Sequence, residues 1–244
     1  MNNIDNYLKR VGKTCSKYRL IGPTDKILIG VSGGKDSLFL IEALAKLKKH
    51  TRFSVDIIAC HVHVNEIGYH VDYEYLTEHC RKSDIPLFIE NVSIDINANP
   101  EKSKCFVCSW YRRKKLFDLT RKYHCNKLAL GHHLDDAIET LLINMIFHGS
   151  ISSLPQNLKM FNGRINLIRP LIELTQEDMQ KIASFRKYPA LKRECPYNDQ
   201  TKRMQMREMI NKFTEMNRLA RKNIFRSMSN IFEEYLPITS NYKP

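Results

Sequence analysis

Alternating strand and helix signals over the first two thirds of the chain predict an α/β fold, a parallel sheet with helices on both faces, followed by a C-terminal helical extension. Three observations carry this reading. Short apolar or β-branched runs recur at 26–31, 53–64, 86–92 and 127–131, and each precedes a stretch with apolar residues at helical spacing. Repeated β-α-β units of this length make neighbouring strands parallel and put the crossover helices on the faces of the sheet. With 43% hydrophobic residues, 244 residues can bury a substantial core, which excludes disordered and fibrous classes.

In chain order, residues 1–25 read as a helical segment, 26–200 as one body and 201–244 as the extension. KILIGV at 26–31 is the first strand, and Leu, Ile and Ala recur at helical spacing over 38–47. The second strand spans 53–64, a helix 71–81 and the third strand 86–92. Residues 97–108 are expected as a loop, and 110–123 as a helix carrying Leu116, Leu119 and Tyr123 on one face. KLALG at 127–131 is the fourth strand, with a helix over 135–147. From about Gly149 a Ser-rich connector leads to a strand at 165–169, a helix from Thr175 as N-cap to Phe185, and a loop at Cys195-Pro196. Met206, Ile210, Phe213, Met216, Ala220, Ile224, Met228 and Ile231 then keep a step of three or four, the stripe of one or two helices packed on the body.

Thirty-nine Lys and Arg against 26 Asp and Glu give a net charge of +13, which points to a polyanionic partner, nucleic acid or a phosphate-rich ligand. Nine basic and two acidic residues put +7 of it in 101–127, and eight against four put +4 in 201–236. The N-terminus is polar and basic with no apolar signal region, and no stretch approaches the roughly 20 apolar residues that cross a bilayer. A cytoplasmic protein without membrane contact is expected. Seven cysteines, an odd number in no dense framework, suit a reducing compartment with a few working thiols.

Three segments carry chemistry. Ser32-Gly33-Gly34-Lys35-Asp36-Ser37 joins the first strand to the first helix. Its glycines allow a tight turn and close approach, and the helix start offers free N–H groups to a phosphate. Lys35 and the hydroxyls of Ser32 and Ser37 can meet phosphate oxygens, and Asp36 can hold Mg²⁺ on a polyphosphate. The spacing is not Walker A. Gly131-His132-His133-Leu134-Asp135-Asp136 ends the fourth strand, where a parallel sheet presents its ligands; Asp135 and Asp136 also suit helix capping. Cys105-Phe106-Val107-Cys108 can chelate a metal, form a redox disulfide or be inert. A third thiol must come from far along the chain, and Cys195 is the best candidate because a loop leaves it available. Zinc completed by His124 is the competing metal reading. Cys15, Cys60, Cys80 and Cys125 read as buried.

The hexapeptide resembles the PP-loop of the N-type ATP pyrophosphatases. That resemblance implies a Rossmann-like adenine nucleotide alpha-hydrolase fold that splits ATP between its α and β phosphates and transfers AMP to a carbonyl oxygen, activating the carbon for a nucleophile. GHHxDD looks like the second motif of the tRNA-modifying PP-loop enzymes. In order, CxxC, the following Ser109-x-x-Arg112-Arg113, GHHxDD and an isolated later Cys resemble the tRNA 2-thiocytidine synthetases, over about 26–203. In that family two cysteines of the CxxC and one of the later loop hold a 4Fe-4S cluster, leaving one iron without a protein ligand. Carried over, these are Cys105, Cys108 and Cys195. Many relatives have a second Cys in the later loop where this chain has Asn198, and the N-terminal segment is reduced.

The resemblance therefore implies an ATP-dependent tRNA sulfurtransferase that adenylates a cytidine of the anticodon loop and replaces its 2-oxygen with sulfur. Its ATP site would be Ser32, Gly33, Gly34, Lys35, Asp36, Ser37, Gly131 and His132, with Mg²⁺ on Asp36. Lys35, Asp36, Arg112, Asp135 and Asp136 would be catalytic; Arg113, Lys114 and Lys115 would meet tRNA, with Trp110 and Tyr111 stacking an unpaired base or lying in the core. A sulfur donor such as a cysteine desulfurase and a homodimer are also implied. Rival readings are a uridine thiolase, a lysidine-type ligase and a non-catalytic RNA-binding protein that kept the nucleotide fold.

Overall fold

A computed structural model of the chain describes residues 3–67, 71–97, 101, 103–190 and 202–236. Six strands, β1 (Lys26–Val31), β2 (Asp56–Val64), β3 (Leu87–Val92), β4 (Lys127–Ala129), β5 (Asn157–Met160) and β6 (Ile165–Ile168), form one sheet in the order β3-β2-β1-β4-β6-β5. The α-helices among the described residues are α1 (Asn3–Lys17), α2 (Lys35–His50), α3 (Tyr73–Lys82), α4 (Lys104–Lys122), α5 (Leu134–His148), α6 (Gln176–Arg186), α7 (Lys202–Met216) and α8 (Ala220–Ser227). None of the described helices is long and apolar enough to cross a membrane.

β1 is central, pairing in parallel with β2 on one side and β4 on the other. The chain runs outward from β1 to β2 and β3, then returns to build β4 and β6 on the opposite side. The carboxyl ends of β1 and β4 therefore flank the point where the strand order reverses, the crevice in which open α/β sheets bind ligands. Ile27, Ile29, Ile57, Ala59 and Ala129 face one way into the main core, closed by α1, α2, α3 and α6; Leu28, Cys60 and Leu128 face the other way onto Leu116 and Leu119 of α4. Helices thus cover both faces. α1 buries Ile4, Tyr7, Val11 and Cys15 in the main core, and its Arg10, Thr14 and Lys17 reach Asp178 and Glu173 near α6.

Four features depart from the sequence reading. The helix expected from residue 110 begins at Lys104, because the Ser103 hydroxyl caps it, accepting from the Phe106 N–H at 3.3 Å. The cysteine pair is therefore helical rather than in a loop. The second strand starts at Asp56 rather than at Phe53. β5 was not expected: it pairs antiparallel with β6 across a turn where Phe161, Asn162 and Gly163 all take positive φ. Being mostly exposed, this edge strand carries too little apolar alternation to be seen. Finally, the terminal stripe is not continuous. Met206, Ile210 and Ala220 are buried, but Met216 is 84% exposed and Ile231 54%, since α7 ends at Met216 and α8 restarts the helical phase at Ala220.

Candidate active site at the carboxyl end of the sheet

The hexapeptide occupies the turn between β1 and α2. Gly33 sits at φ +80°, a conformation that favours glycine, and Gly34 is the extended N-cap of α2. The loop is braced internally: the Ser37 hydroxyl donates to the Gly34 carbonyl at 2.8 Å, the Ser32 N–H reaches Ser37 Oγ at 3.3 Å, and the Gly34 N–H reaches Ser32 Oγ at 3.3 Å. Ser37 is buried, so its hydroxyl shapes the turn. Lys35 Nζ lies 2.8 and 3.0 Å from the two oxygens of Asp36, and both side chains remain partly exposed. An exchangeable cation and anion thus stand at a helix start whose first N–H groups have no helical acceptor.

The second motif is packed directly onto this turn. A Cβ on Gly131 would lie 3.1 Å from the Asp36 carbonyl carbon and 3.2 Å from the Ser37 nitrogen. Backbone on both sides leaves no flexible side chain to yield, so Gly131→Ala is expected to displace the loop and weaken ATP binding by about tenfold or more. Calorimetric titration of ATP would check it, with an unchanged Kd counting against the packing argument.

Beyond Gly131, two adjacent carboxylates differ in what they touch. Asp135 is buried; one oxygen accepts from the Gln176 N–H at 2.7 Å, capping α6, and the other from Arg221 Nε of α8 at 2.8 Å. Asp136 accepts from the His133 N–H at 2.9 Å, and Arg203 Nη1 stands 3.8 Å from its other oxygen. Burial pushes the Asp136 carboxyl up, but His133, His132 and Arg203 together outweigh it and hold it below the ordinary carboxylate range. His132 is driven down to about 4, chiefly by burial, and its Nδ1 accepts from Arg169 Nε at 3.3 Å.

α4 brings the third motif to the same end of the sheet. It runs against the strands, with Leu116 near Gly30 and its cysteines toward the strand tips. His61, wholly buried within β2 opposite the last residue of β1, donates from Nδ1 to the Val31 carbonyl at 2.9 Å, immediately before the loop. Burial drives His61 down to about 4 against that hydrogen bond, and the Arg112 charge pushes the same way as burial. Arg112 is therefore within electrostatic reach of His61. Cys105 and Cys108 occupy the first two turns at i and i+3, which sets both thiols on one face. Cys105 is partly exposed and Cys108 buried. Cys195 lies outside the described residues, and no group of three metal-capable side chains occurs among those described. His124 follows the far end of α4, roughly 28 Å along the helix from Cys105, too far to complete a zinc site there. Burial pushes the thiols of Cys15 and Cys60 up to about 12 and those of Cys80 and Cys125 to about 11, so these four stay protonated, as their sequence context suggested.

The basic run does not form one uniform surface. Lys127 is buried in an ion pair with Asp25 at 2.8 Å. Lys115 and Lys122 lie 3.4 and 2.9 Å from Glu90, and Arg121 pairs with Asp118. Arg113 and Lys114 are exposed, and Lys114 Nζ stands 5.3 Å above the Trp110 ring, itself 44% exposed and edge-on to Tyr111. Lys102 is outside the described residues. In the extension, Arg207 Nε donates to wholly buried Glu139 at 2.9 Å, with Arg203 at 3.8 Å from its second oxygen. Arg203, Arg207 and Arg221 thus tie α7 and α8 to three carboxylates of α5, while Arg203 and Arg207 each keep 49% of their side chains exposed.

Glu139, Arg169, Arg203, Arg207 and Arg221 were not singled out from the sequence. Only Glu139 had a signal, one helical turn after Asp135-Asp136; the arginines read as ordinary surface charges.

A family model described as the PP-loop domain matches residues 5–214. A tRNA-cytidine(32) 2-sulfurtransferase of Geotalea uraniireducens (strain Rf4) is 33% identical over 93% of this chain and 92% of its own. One from Hahella chejuensis (strain KCTC 2396) is 31% identical over 99% and 86%. Among solved structures, the U34-tRNA thiolase NcsA from Methanococcus maripaludis, determined with its 4Fe-4S cluster, superposes with a TM-score of 0.80 at 23% identity, covering 98% of this chain and 82% of that one.

Proposed function

The chain belongs to the PP-loop family and within it to the tRNA-cytidine 2-sulfurtransferases, and from that premise we propose how its residues divide the reaction. It is an ATP-dependent tRNA thiolation enzyme, and its substrate nucleotide is cytidine 32 of the anticodon loop. The observation that carries the assignment of residues is convergence: Gly131 of the second motif is packed on the backbone of Asp36 and Ser37 in the loop at 32–37, and His61 bonds the Val31 carbonyl immediately before that loop, within electrostatic reach of Arg112.

ATP lies with its phosphates against Ser32, Gly33, Gly34 and the first N–H groups of α2. Lys35 leaves Asp36 for a phosphate oxygen, freeing the Asp36 carboxylate to hold Mg²⁺. Gly131 permits the close approach, and His132 and Asp136 line the same crevice. The 2-oxygen of the cytidine attacks the α-phosphorus and pyrophosphate departs, its charge met by the loop and by Arg112. A sulfur nucleophile then bonds to carbon 2, the C2–O bond breaks, and AMP leaves with the oxygen. Asp135 positions α6 and α8 rather than touching substrate.

Two thiols one helical turn apart on one face of α4, in a chain whose fold neighbour was determined with a 4Fe-4S cluster, support an iron–sulfur cluster. Cys105 and Cys108 would hold it, with Cys195 as third ligand; when bound, the cluster supplies an iron that can carry the transferred sulfur. The partners are tRNA and a sulfur donor such as a cysteine desulfurase, the protein works in the cytoplasm, and a homodimer is the expected assembly.

Anaerobically reconstituted protein given ATP, Mg²⁺, sulfide and unmodified tRNA is expected to form 2-thiocytidine, read by nucleoside mass spectrometry. Formation of 2-thiouridine instead would move the assignment to the uridine thiolases. For tRNA binding, Lys114→Ala is expected to weaken affinity and lower the slope of log K against log salt by about one, with Lys115→Ala smaller because Lys115 already meets Glu90. Equal slopes in both variants and wild type would return α4 to an ordinary solvated helix.

A further inference from the structure

We propose that Arg169 is a positioning residue that holds His132 as the neutral tautomer protonated at Nε2, so that His132 serves adenylation as an uncharged N–H donor to the phosphate chain of ATP. The proposal rests on the ATP-dependent reading above and adds a residue and a protonation state to it.

Arg169 follows the last residue of β6 and is only 4% exposed. Its guanidinium is anchored at two points: Nη1 donates to the Pro155 carbonyl and Nε donates to His132 Nδ1 at 3.3 Å. A guanidinium has N–H groups and no acceptor, so the atom it faces must offer a lone pair. Nδ1 of His132 is therefore unprotonated, and in a neutral ring the proton resides on Nε2. Burial lowers Arg169 only to about 10, leaving it charged near neutral pH.

The charged groups around His132 agree. Asp136 on α5 favours a charged ring, whereas burial, Arg169 beyond β6, Arg203 on α7 and His133 oppose it, and burial is the largest influence. The position matters because Gly131, one residue earlier, is packed on the backbone of Asp36 and Ser37. A neutral donor there can stabilise charge that develops on the departing pyrophosphate without gripping the ground-state polyphosphate as tightly as a second cation would.

The test uses full-length protein with ¹⁵N-labelled histidine, the His132 signals being assigned by their loss in His132→Gln. Wild type is expected to show an acceptor-type Nδ1 and an N–H-type Nε2 from pH 8 down to about 5.5. A ring protonated at Nδ1, or one that charges near the ordinary 6.5, would overturn the proposal. In Arg169→Met the ring is expected to titrate higher than in wild type, still below the ordinary 6.5 because it remains buried, and to lose the fixed Nε2 tautomer; tRNA-dependent pyrophosphate release should fall, with kcat falling more than KM. Arg169→Gln, which keeps an N–H donor, should restore the tautomer. Should Arg169→Met not fold, His132→Gln against His132→Phe decides: Gln is expected to lose no more than about tenfold in pyrophosphate release and Phe about a hundredfold. Wild-type activity in His132→Phe overturns the role. If the tautomer is as stated but no tRNA elicits pyrophosphate release, the ATP-dependent reading has failed rather than the assignment of the ring.

Discussion

Cys105→Ala is expected to abolish 2-thiocytidine formation while ATP binding and tRNA-dependent pyrophosphate release persist. The loss should exceed the roughly 10–100-fold typical of removing an outer-shell partner of a metal site, because under the proposed assignment a ligand itself is gone. The fold should survive. Cys105 stands on the exposed first turn of α4, whereas the helix is fastened to the sheet through Leu116 and Leu119. Cys108 is buried against the main core, so Cys108→Ala should combine the same catalytic loss with a stability loss of about 1 kcal/mol. Measuring pyrophosphate release and thiolation on one preparation separates the two halves of the reaction. A Cys105→Ala protein that still thiolated tRNA would remove the cluster from the mechanism.

The second large effect is expected at Asp135, on stability rather than chemistry. Replacing it by Ala leaves the Gln176 N–H and the Arg221 guanidinium facing a hole where a buried carboxylate stood, with distances of 2.7 and 2.8 Å in the intact protein. Breaking such a buried pair costs about 3 kcal/mol or more. For a domain of this size that is a fall in Tm of roughly 6–12 °C. Asp136→Asn should behave oppositely. Its side chain keeps the hydrogen bond from the His133 N–H and costs little in Tm, but it removes the charge that faces Arg203; with Asp136 serving the nucleotide as proposed, pyrophosphate release should drop about a hundredfold. Thermal melts paired with activity on both variants check this; equal Tm losses would show that the two aspartates share one structural role.

The contrast between Asp135 and Asp136 also marks a limit of sequence reading. Two adjacent residues in a first helical turn point about 100° apart around the axis, and which direction is interior depends on where α6 and α8 dock. The basic run at 101–127 has the same character. Its composition is plain in the sequence, but Lys127 is withdrawn from the surface by Asp25, a residue about a hundred positions earlier that no local pattern connects to it. The helical state of Cys105 and Cys108 was hidden for a different reason. The cap at Ser103 is a single-residue signal, and apolar periodicity in α4 becomes regular only near Leu116, where the helix meets the sheet.

What the chain determines by itself is whatever local chemistry decides: apolar runs that must be buried as parallel strands, glycines at the end of β1 that open an anion-binding turn, paired thiols three residues apart, and the order of motifs that identifies the family. Only the tertiary structure decided which charges are clamps and which face solvent, which aspartate braces α6 and α8, and that Arg169 meets His132. Those outcomes depend on pairings between residues tens to more than a hundred positions apart, whose energies are set by burial and distance, and neither quantity exists until the sheet has assembled.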